Sequence, residues 1–386
     1  MRHSNIIAIF MFSLLLTGCA SSSPVKTVLP SNTPTPIASP VLASATPAPT
    51  KTNTATPKPT QTPQPTEDHS YYKIDPTATE TPVFDYTHYK IDSELKVIAH
   101  DFPTVASSTS AQPLWVKVIC RVFNVYCPWN DNKEIGPEGS NGFYSELSQF
   151  IWQHAHVQGT HEAYLALING EADIILVARA PSRDELTAAQ AKQVDFDVQP
   201  IALDAFVFIV NSQNTVDNLS LEQLRQIYSG EITNWQQVGG KDEEIHPYQR
   251  EENSGSQELM ATLVMSGTPM INAPEMIAYT MEGPFNAIGT LPFLSDSKGD
   301  VAGIGYSVYY YSKNMIASDD VEFIGVNGVE PTSSTIRDRA YPLTTEVYAV
   351  VRKDLSPEDT AMRLRDWLLS SDGRNTIYSS GYIPIR

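Results

Sequence analysis

Tyr248-Gln249-Arg250-Glu251-Glu252-Asn253-Ser254-Gly255-Ser256-Gln257-Glu258-Leu259-Met260 is the stretch around which the chain is read. A polar turn holding one glycine runs into Leu259, Met260, Leu263 and Val264, whose spacing predicts one apolar face of a helix beginning near Ser254. The first amides of a helix lack intrahelical partners, and the backbone dipole places partial positive charge at that end, which suits a small anion. Ser254 and Ser256 add hydroxyl donors, Gly255 lets a ligand approach the backbone, and Arg250 offers a planar fork matched to a tetrahedral oxyanion. The same residues serve equally well as an ordinary serine cap with Arg250 in a solvated surface pair. Neighbouring segments must decide between the two.

Upstream, Met1 to Cys19 carries a basic residue at Arg2, an apolar run Ile6 to Leu16 and the ending Leu16-Thr17-Gly18-Cys19. A short apolar core with a small-residue exit predicts an export signal peptide rather than a membrane span. Its ending resembles a bacterial lipobox, which implies cleavage before Cys19, lipidation of that cysteine and a membrane anchor. From residue 20 to about 94 the chain is dominated first by Thr, Pro, Ser and Ala, as in Thr54-Ala55-Thr56-Pro57-Lys58-Pro59-Thr60, and predicts a disordered tether. Tyr72-Lys73-Ile74-Asp75 returns as Tyr89-Lys90-Ile91-Asp92, a short echo to which no chemistry attaches.

The chain beyond residue 94 is too long for one small core and predicts two lobes. Leu95 to Ala99, Ile174 to Val177, Ala205 to Val210 and Val347 to Val351 read as strands, and Glu162 to Ile168 and Leu221 to Ile227 as helices. That alternation predicts an α/β protein with mostly parallel sheets, whose ligands lie at strand ends where helix N-termini converge. The formal net charge of −18 argues against nucleic acid as a partner. It leaves a small anion open, because surface carboxylates are screened over about 10 Å. Of the three cysteines, Cys120 and Cys127 form the pair available for a disulfide. They lack neighbouring histidines, so no metal site is expected.

Three more segments suit an anion cup. Ala106-Ser107-Ser108-Thr109-Ser110-Ala111-Gln112-Pro113-Leu114 reads as a hydroxyl-rich helix start, Gly159-Thr160-His161-Glu162 opens another helix, and Ala178-Arg179-Ala180-Pro181-Ser182 follows the strand Ile174 to Val177. With Asn169-Gly170-Glu171-Ala172-Asp173-Ile174, Leu224-Arg225-Gln226-Ile227-Tyr228-Ser229-Gly230-Glu231-Ile232-Thr233-Asn234-Trp235, Gly303-Ile304-Gly305-Tyr306, Tyr341-Pro342-Leu343 and Gly381-Tyr382-Ile383-Pro384, they are similar to the PstS-type phosphate-binding lipoproteins of bacterial phosphate ABC importers. The resemblance covers nearly everything from Leu95 to Arg386.

That resemblance implies a two-lobed type 2 periplasmic-binding-protein fold with a hinge of two crossover strands, Asp204 to Val210 and Thr345 to Arg352. Lobe I would comprise 95–203 and 345–386, and lobe II 204–344. The ligand set it implies is Thr109, Ser110 and Thr160 from lobe I with Arg250, Ser254, Gly255 and Ser256 from lobe II. Arg179 stands where phosphate-selective members place an aspartate that accepts the ligand's proton. Two roles are open to it: a second guanidinium on the ligand, or a lobe-to-lobe salt bridge. The implied partners are inorganic phosphate, the permease subunits of an ABC transporter and a membrane held through the lipid anchor, for a monomer that needs no cofactor.

The competing classes are an enzyme, for which Ser254, His161 and Asp173 supply triad residue types without Gly-x-Ser-x-Gly, and a surface sensor or adhesive lipoprotein with a degenerate binding fold. Trp235, Tyr306 and Tyr309 are read as core or edge residues rather than ligand stackers.

Overall fold

Sixteen residues, Phe196–Asn211, form one strand that passes through both halves of the folded chain. From Ile201 to Asn211 every residue of it is buried, which is why the sequence there is apolar at every position except Asp204 and Asn211 instead of alternating. The structure, a computed structural model, describes residues 85–130, 133–137, 146–289 and 299–385. All of these belong to the second of two units into which the chain divides, Ala78–Arg386. The export signal, the lipobox with Cys19, most of the tether and the first Tyr-Lys-Ile-Asp copy lie outside the described residues.

In chain order the strands are β1 Val105–Ser108, β2 Ala155–Gln158, β3 Ile174–Val177, β4 Phe196–Asn211, β5 Asn218–Leu219, β6 His246–Pro247, β7 Gln249–Arg250, β8 Ile277–Ala278, β9 Gly303–Val308, β10 Val321–Val326, β11 Thr344–Arg352 and β12 Ile383–Pro384. Ten of them form one mixed sheet, and β7 pairs with β8 apart from it. The first half of β4 pairs antiparallel with β11 and β12, and its second half pairs antiparallel with β9 and β10. Parallel pairing is confined to β1 with β2 and β3, β5 with β10, β6 with β9, and β7 with β8. The expectation of mostly parallel sheets is therefore corrected: the strands that pass between lobes must run both ways, and they impose antiparallel neighbours.

Two apolar cores divide along β4 and β11. Ala202 and Val347 belong to the core that includes Leu114, Ile119, Leu364 and Ile377. Leu203 and Leu343 belong to the core that includes Phe206, Leu224, Trp235, Val264 and Ile304. We call these lobes I and II. A smaller cluster around Tyr164, Leu167 and Ile175 fills the other face of the lobe I sheet.

Leu95 to Ala99 is not a strand but leads into a short helix, Lys96–His100. Leu95, Ile98, Ala99 and Phe102 are buried while Val97 is 49% exposed, so the spacing i, i+3, i+4, i+7 belongs to one helix face. Tyr86, Tyr89 and Ile91, assigned to the tether by position, are packed against the lobe I core. Asp92 is ion-paired with Arg121 at 2.6 Å, and Arg121 with Asp372 at 2.8 Å. Cys120 and Cys127 are joined in a disulfide at the end of helix Gln112–Val122.

Candidate anion-binding site

β1 and β2 run parallel with Ser108 opposite Gln158, so the residues that follow each strand emerge side by side. After β1 come Thr109 and Ser110 in a tight helical turn, Thr109–Ala111, that opens helix Gln112–Val122. After β2 come Gly159 as N-cap and Thr160 as first residue of helix Thr160–Asn169. The register thus gathers Thr109, Ser110 and Thr160 at one edge of lobe I. Ser110 and Thr160 are buried. The Ser110 carbonyl accepts a hydrogen bond of 2.9 Å from the Tyr382 hydroxyl, and the Tyr382 ring is stacked on Tyr310.

On lobe II, the turn after β7 places Asn253 in the left-handed region at φ 70°, a conformation asparagine tolerates better than most residues. Ser254 then caps helix Gly255–Leu259, its hydroxyl accepting from the Gln257 amide at 3.2 Å. The helix continues through a widened π-type turn, Met260–Met265, which buries Met260 and Val264 in the lobe II core. The predicted helix start near Ser254 and its apolar face are both present.

The Arg250 guanidinium is buried, with 7% of the residue exposed. Its backbone amide donates to the Tyr306 hydroxyl at 2.9 Å, and Tyr306 in turn donates to Gln257 Oε1. Its Nε donates to the Ala278 carbonyl at 2.8 Å, while Nη1 lies 3.4 Å from Ser256 Oγ and 3.4 Å from Met281 Sδ. No carboxylate of the described residues forms an ion pair with it. Burial pushes its pKa down, yet a guanidinium stays protonated at any physiological pH. Glu251 acts on it only through space, and a buried cation with no directly paired carboxylate is expensive, so the arrangement favours added negative charge.

The two lobes meet at this point. A Cβ added to Gly255 would lie 2.5 Å from Thr160 Oγ1, closer than such atoms approach. Glycine here lets the start of one helix abut the start of the other, and it joins the lobe I hydroxyl to the Arg250 and Ser256 group of lobe II.

Arg179 is placed differently. Its Nη1 and Nη2 donate to Glu185 Oε2 and Oε1 at 2.8 and 2.7 Å, and its guanidinium carbon lies 5.8 Å from the centre of the Tyr164 ring. Glu185 is fully buried, accepts also from the Ser182 amide at 2.7 Å, and has His161 Nδ1 at 3.1 Å. The bridge therefore closes within lobe I, on a partner that sequence reading did not name, and the fork expected to face a ligand or the other lobe is taken by a carboxylate. The signal was present: Ser182-Arg183-Asp184-Glu185 fits a capping box, which brings a carboxylate back to the start of the helix after β3. The three triad residue types are engaged separately, His161 with Glu185, Asp173 with the Thr104 amide and Ser254 with the Gln257 amide. Trp235 is buried with its indole N–H on the Ala302 carbonyl, as a core residue.

A family model described as a PBP superfamily domain matches residues 153–372, more than half of the chain. The phosphate-binding protein PstS of Borreliella burgdorferi is 26% identical over 237 residues, 59% of this chain and 78% of its own. The protein of the same name from Staphylococcus aureus is 24% identical over 228 residues, 58% of this chain and 67% of its own. Among solved structures, a Clostridium perfringens protein with bound phosphate is similar over 73% of this chain and 99% of that one, with a TM-score of 0.53 at 20% identity. An ABC-type phosphate transport receptor from Vibrio cholerae covers 72% of this chain and 98% of its own, with a TM-score of 0.50 at 22% identity. The chain belongs to the PBP superfamily, with the two-lobed type 2 fold and PstS-type proteins as its relatives.

Proposed function

We propose that the chain captures inorganic phosphate between its lobes, outside the cytoplasm, and hands it to the permease of an ABC importer. The observation that carries this reading is Arg250: a buried guanidinium with no carboxylate partner, set beside Ser256 where Gly255 meets Thr160 of the other lobe. The names of the relatives point to the same ligand. Thr109, Ser110, Thr160, Ser254 and Ser256 would add hydroxyl donors, and Gly255 a backbone donor. Hydrogen bonds to a charged group contribute about 1.5–3 kcal/mol each, so six or more exceed the roughly 8 kcal/mol of micromolar binding and leave a surplus to offset dehydration and lobe closure. The engaged partners of His161, Asp173 and Ser254 favour a binding protein over a hydrolase.

With Arg179 turned to Glu185, no aspartate stands at that strand end to accept a proton from the ligand. We therefore expect sulfate to be excluded less sharply than by a site with a carboxylate there. The lipobox at Cys19, the tether and the membrane anchor complete the proposal, and a disulfide between Cys120 and Cys127 suits an oxidising compartment. No helix of the described residues is long and apolar enough to cross a membrane.

Calorimetric titration of the chain lacking residues 1–19, freed of bound anion by unfolding and refolding, tests the reading with phosphate and with sulfate. Micromolar or tighter phosphate binding that disappears in Arg250→Ala supports it. Heat from neither anion, or phosphate binding untouched by Arg250→Ala, overturns it.

A further inference from the structure

The thioether of Met281 touches both polar groups that carry the functional reading. Its Sδ lies 3.4 Å from Arg250 Nη1 and 3.8 Å from Ser256 Oγ, and those two donors are themselves 3.4 Å apart. One sulfur thus sits where a single acceptor can be shared by the guanidinium and the hydroxyl. A thioether is a weak acceptor and carries no charge, so it hydrates neither group and neutralises nothing. An anionic oxygen in the same position forms charge-assisted bonds roughly twice as strong as neutral ones. The two cannot share the space.

Met281 is also placed to leave. It is partly buried against the lobe II core, and its neighbours Tyr279, Thr280 and Glu282 are exposed. It precedes the short helix Gly283–Ile288 and follows β8, whose Ala278 carbonyl holds Arg250 Nε. Three rotatable side-chain bonds allow the sulfur to swing aside without moving that carbonyl. The backbone anchor of Arg250 and the movable atom on it are thus carried by one segment.

We propose that Met281 is a specificity-determining stand-in for the anion: its sulfur occupies the acceptor position on Arg250 and Ser256 and is displaced when the anion binds. This rests on the reading of Arg250 and Ser256 as ligand donors. Displacement sets a threshold. A strong multiply charged acceptor exceeds the sulfur contacts easily, whereas a weakly hydrogen-bonding monoanion such as chloride does not, and the donors are kept from bulk water in its absence.

The test uses the chain lacking residues 1–19 with methyl-labelled methionine, and the Met281 resonance is assigned by its loss in Met281→Leu, which keeps volume but removes the acceptor. On titration with inorganic phosphate the Met281 methyl signal is expected to shift and to saturate at one equivalent, in step with the calorimetric isotherm. Met281→Leu is expected to bind phosphate several-fold more tightly and to discriminate less against chloride. A Met281 signal that stays put while phosphate saturates the protein overturns the stand-in and leaves phosphate capture intact. Unchanged phosphate affinity in Met281→Leu does the same. Phosphate binding that survives Arg250→Ala overturns the cup itself and the stand-in with it.

Discussion

Two arginines of this chain have the same chemistry and opposite situations. Arg179 is buried against Glu185 through two short hydrogen bonds, whereas Arg250 is buried without a carboxylate. Removing Glu185 by Glu185→Ala should leave Arg179 an uncompensated buried charge and cost about 3–5 kcal/mol, seen as a lower thermal midpoint, with phosphate affinity of the folded protein unchanged. Arg250→Lys should do the reverse: stability holds while calorimetry shows affinity falling about tenfold or more, because an ammonium lacks the fork. Sequence showed that both arginines sat near strand or helix ends but not which was already paired. Pairing depends on where Glu185 falls in three dimensions, and only its capping-box spacing hinted at that. Asp204 presents a further residue-scale case. It is buried on β4, its Oδ1 accepting from the Ala205 amide at 2.8 Å and the Tyr310 amide at 2.9 Å, with the Tyr310 and Tyr382 phenols near enough to feel its charge. Burial raises its pKa from 3.8 to about 7. The fold thus favours the protonated carboxyl, so Asp204 contributes stability at low pH that is lost as pH rises from about 4 to about 7. Chemical denaturation across that range should show this slope, at most about 4 kcal/mol, and Asp204→Asn should flatten it.

The helix starts are the elements on which the proposed recognition turns. Gly255 opens one and Thr160 another, and the gap between them is too small for a methyl group. Gly255→Ala should therefore weaken phosphate binding roughly tenfold, about 1.4 kcal/mol, by holding the lobes apart. The thermal midpoint should hold or rise slightly, since alanine is the better helix former. The helix over Gly255–Leu259, its serine cap and its apolar face were legible because all their determinants are local. So were β3 and the helices near Glu162 and Leu221. Elements that depend on distant partners were less so. The helix Lys96–His100 was taken for a strand because its apolar residues were read as a run, although Leu95, Ile98, Ala99 and Phe102 repeat with helical spacing. Met281 and Tyr306 escaped the candidate site because both reach Arg250 from segments far along the chain: Met281 carries no motif, and Tyr306, though part of Gly303-Ile304-Gly305-Tyr306, was read as a core residue.

At the scale of the whole molecule, lobe II is one uninterrupted run between β4 and β11, whereas lobe I is made from chain on both sides of it. The final segment fastens the two together: β12 pairs with β4 at Ala202 and Leu203, Tyr382 hooks the Ser110 carbonyl, and Ile383 and Ile385 reach the lobe II core. This topology imposes an order in time on a chain synthesised from its N-terminus. Lobe II has all of its buried core while lobe I still waits for β11 and the helices after it, so the Arg250 half of the proposed cup is assembled before the Thr109 half is secured. The closing stitch comes last, and a chain released before Gly381 would hold both halves of the proposed cup with its final seam unsewn.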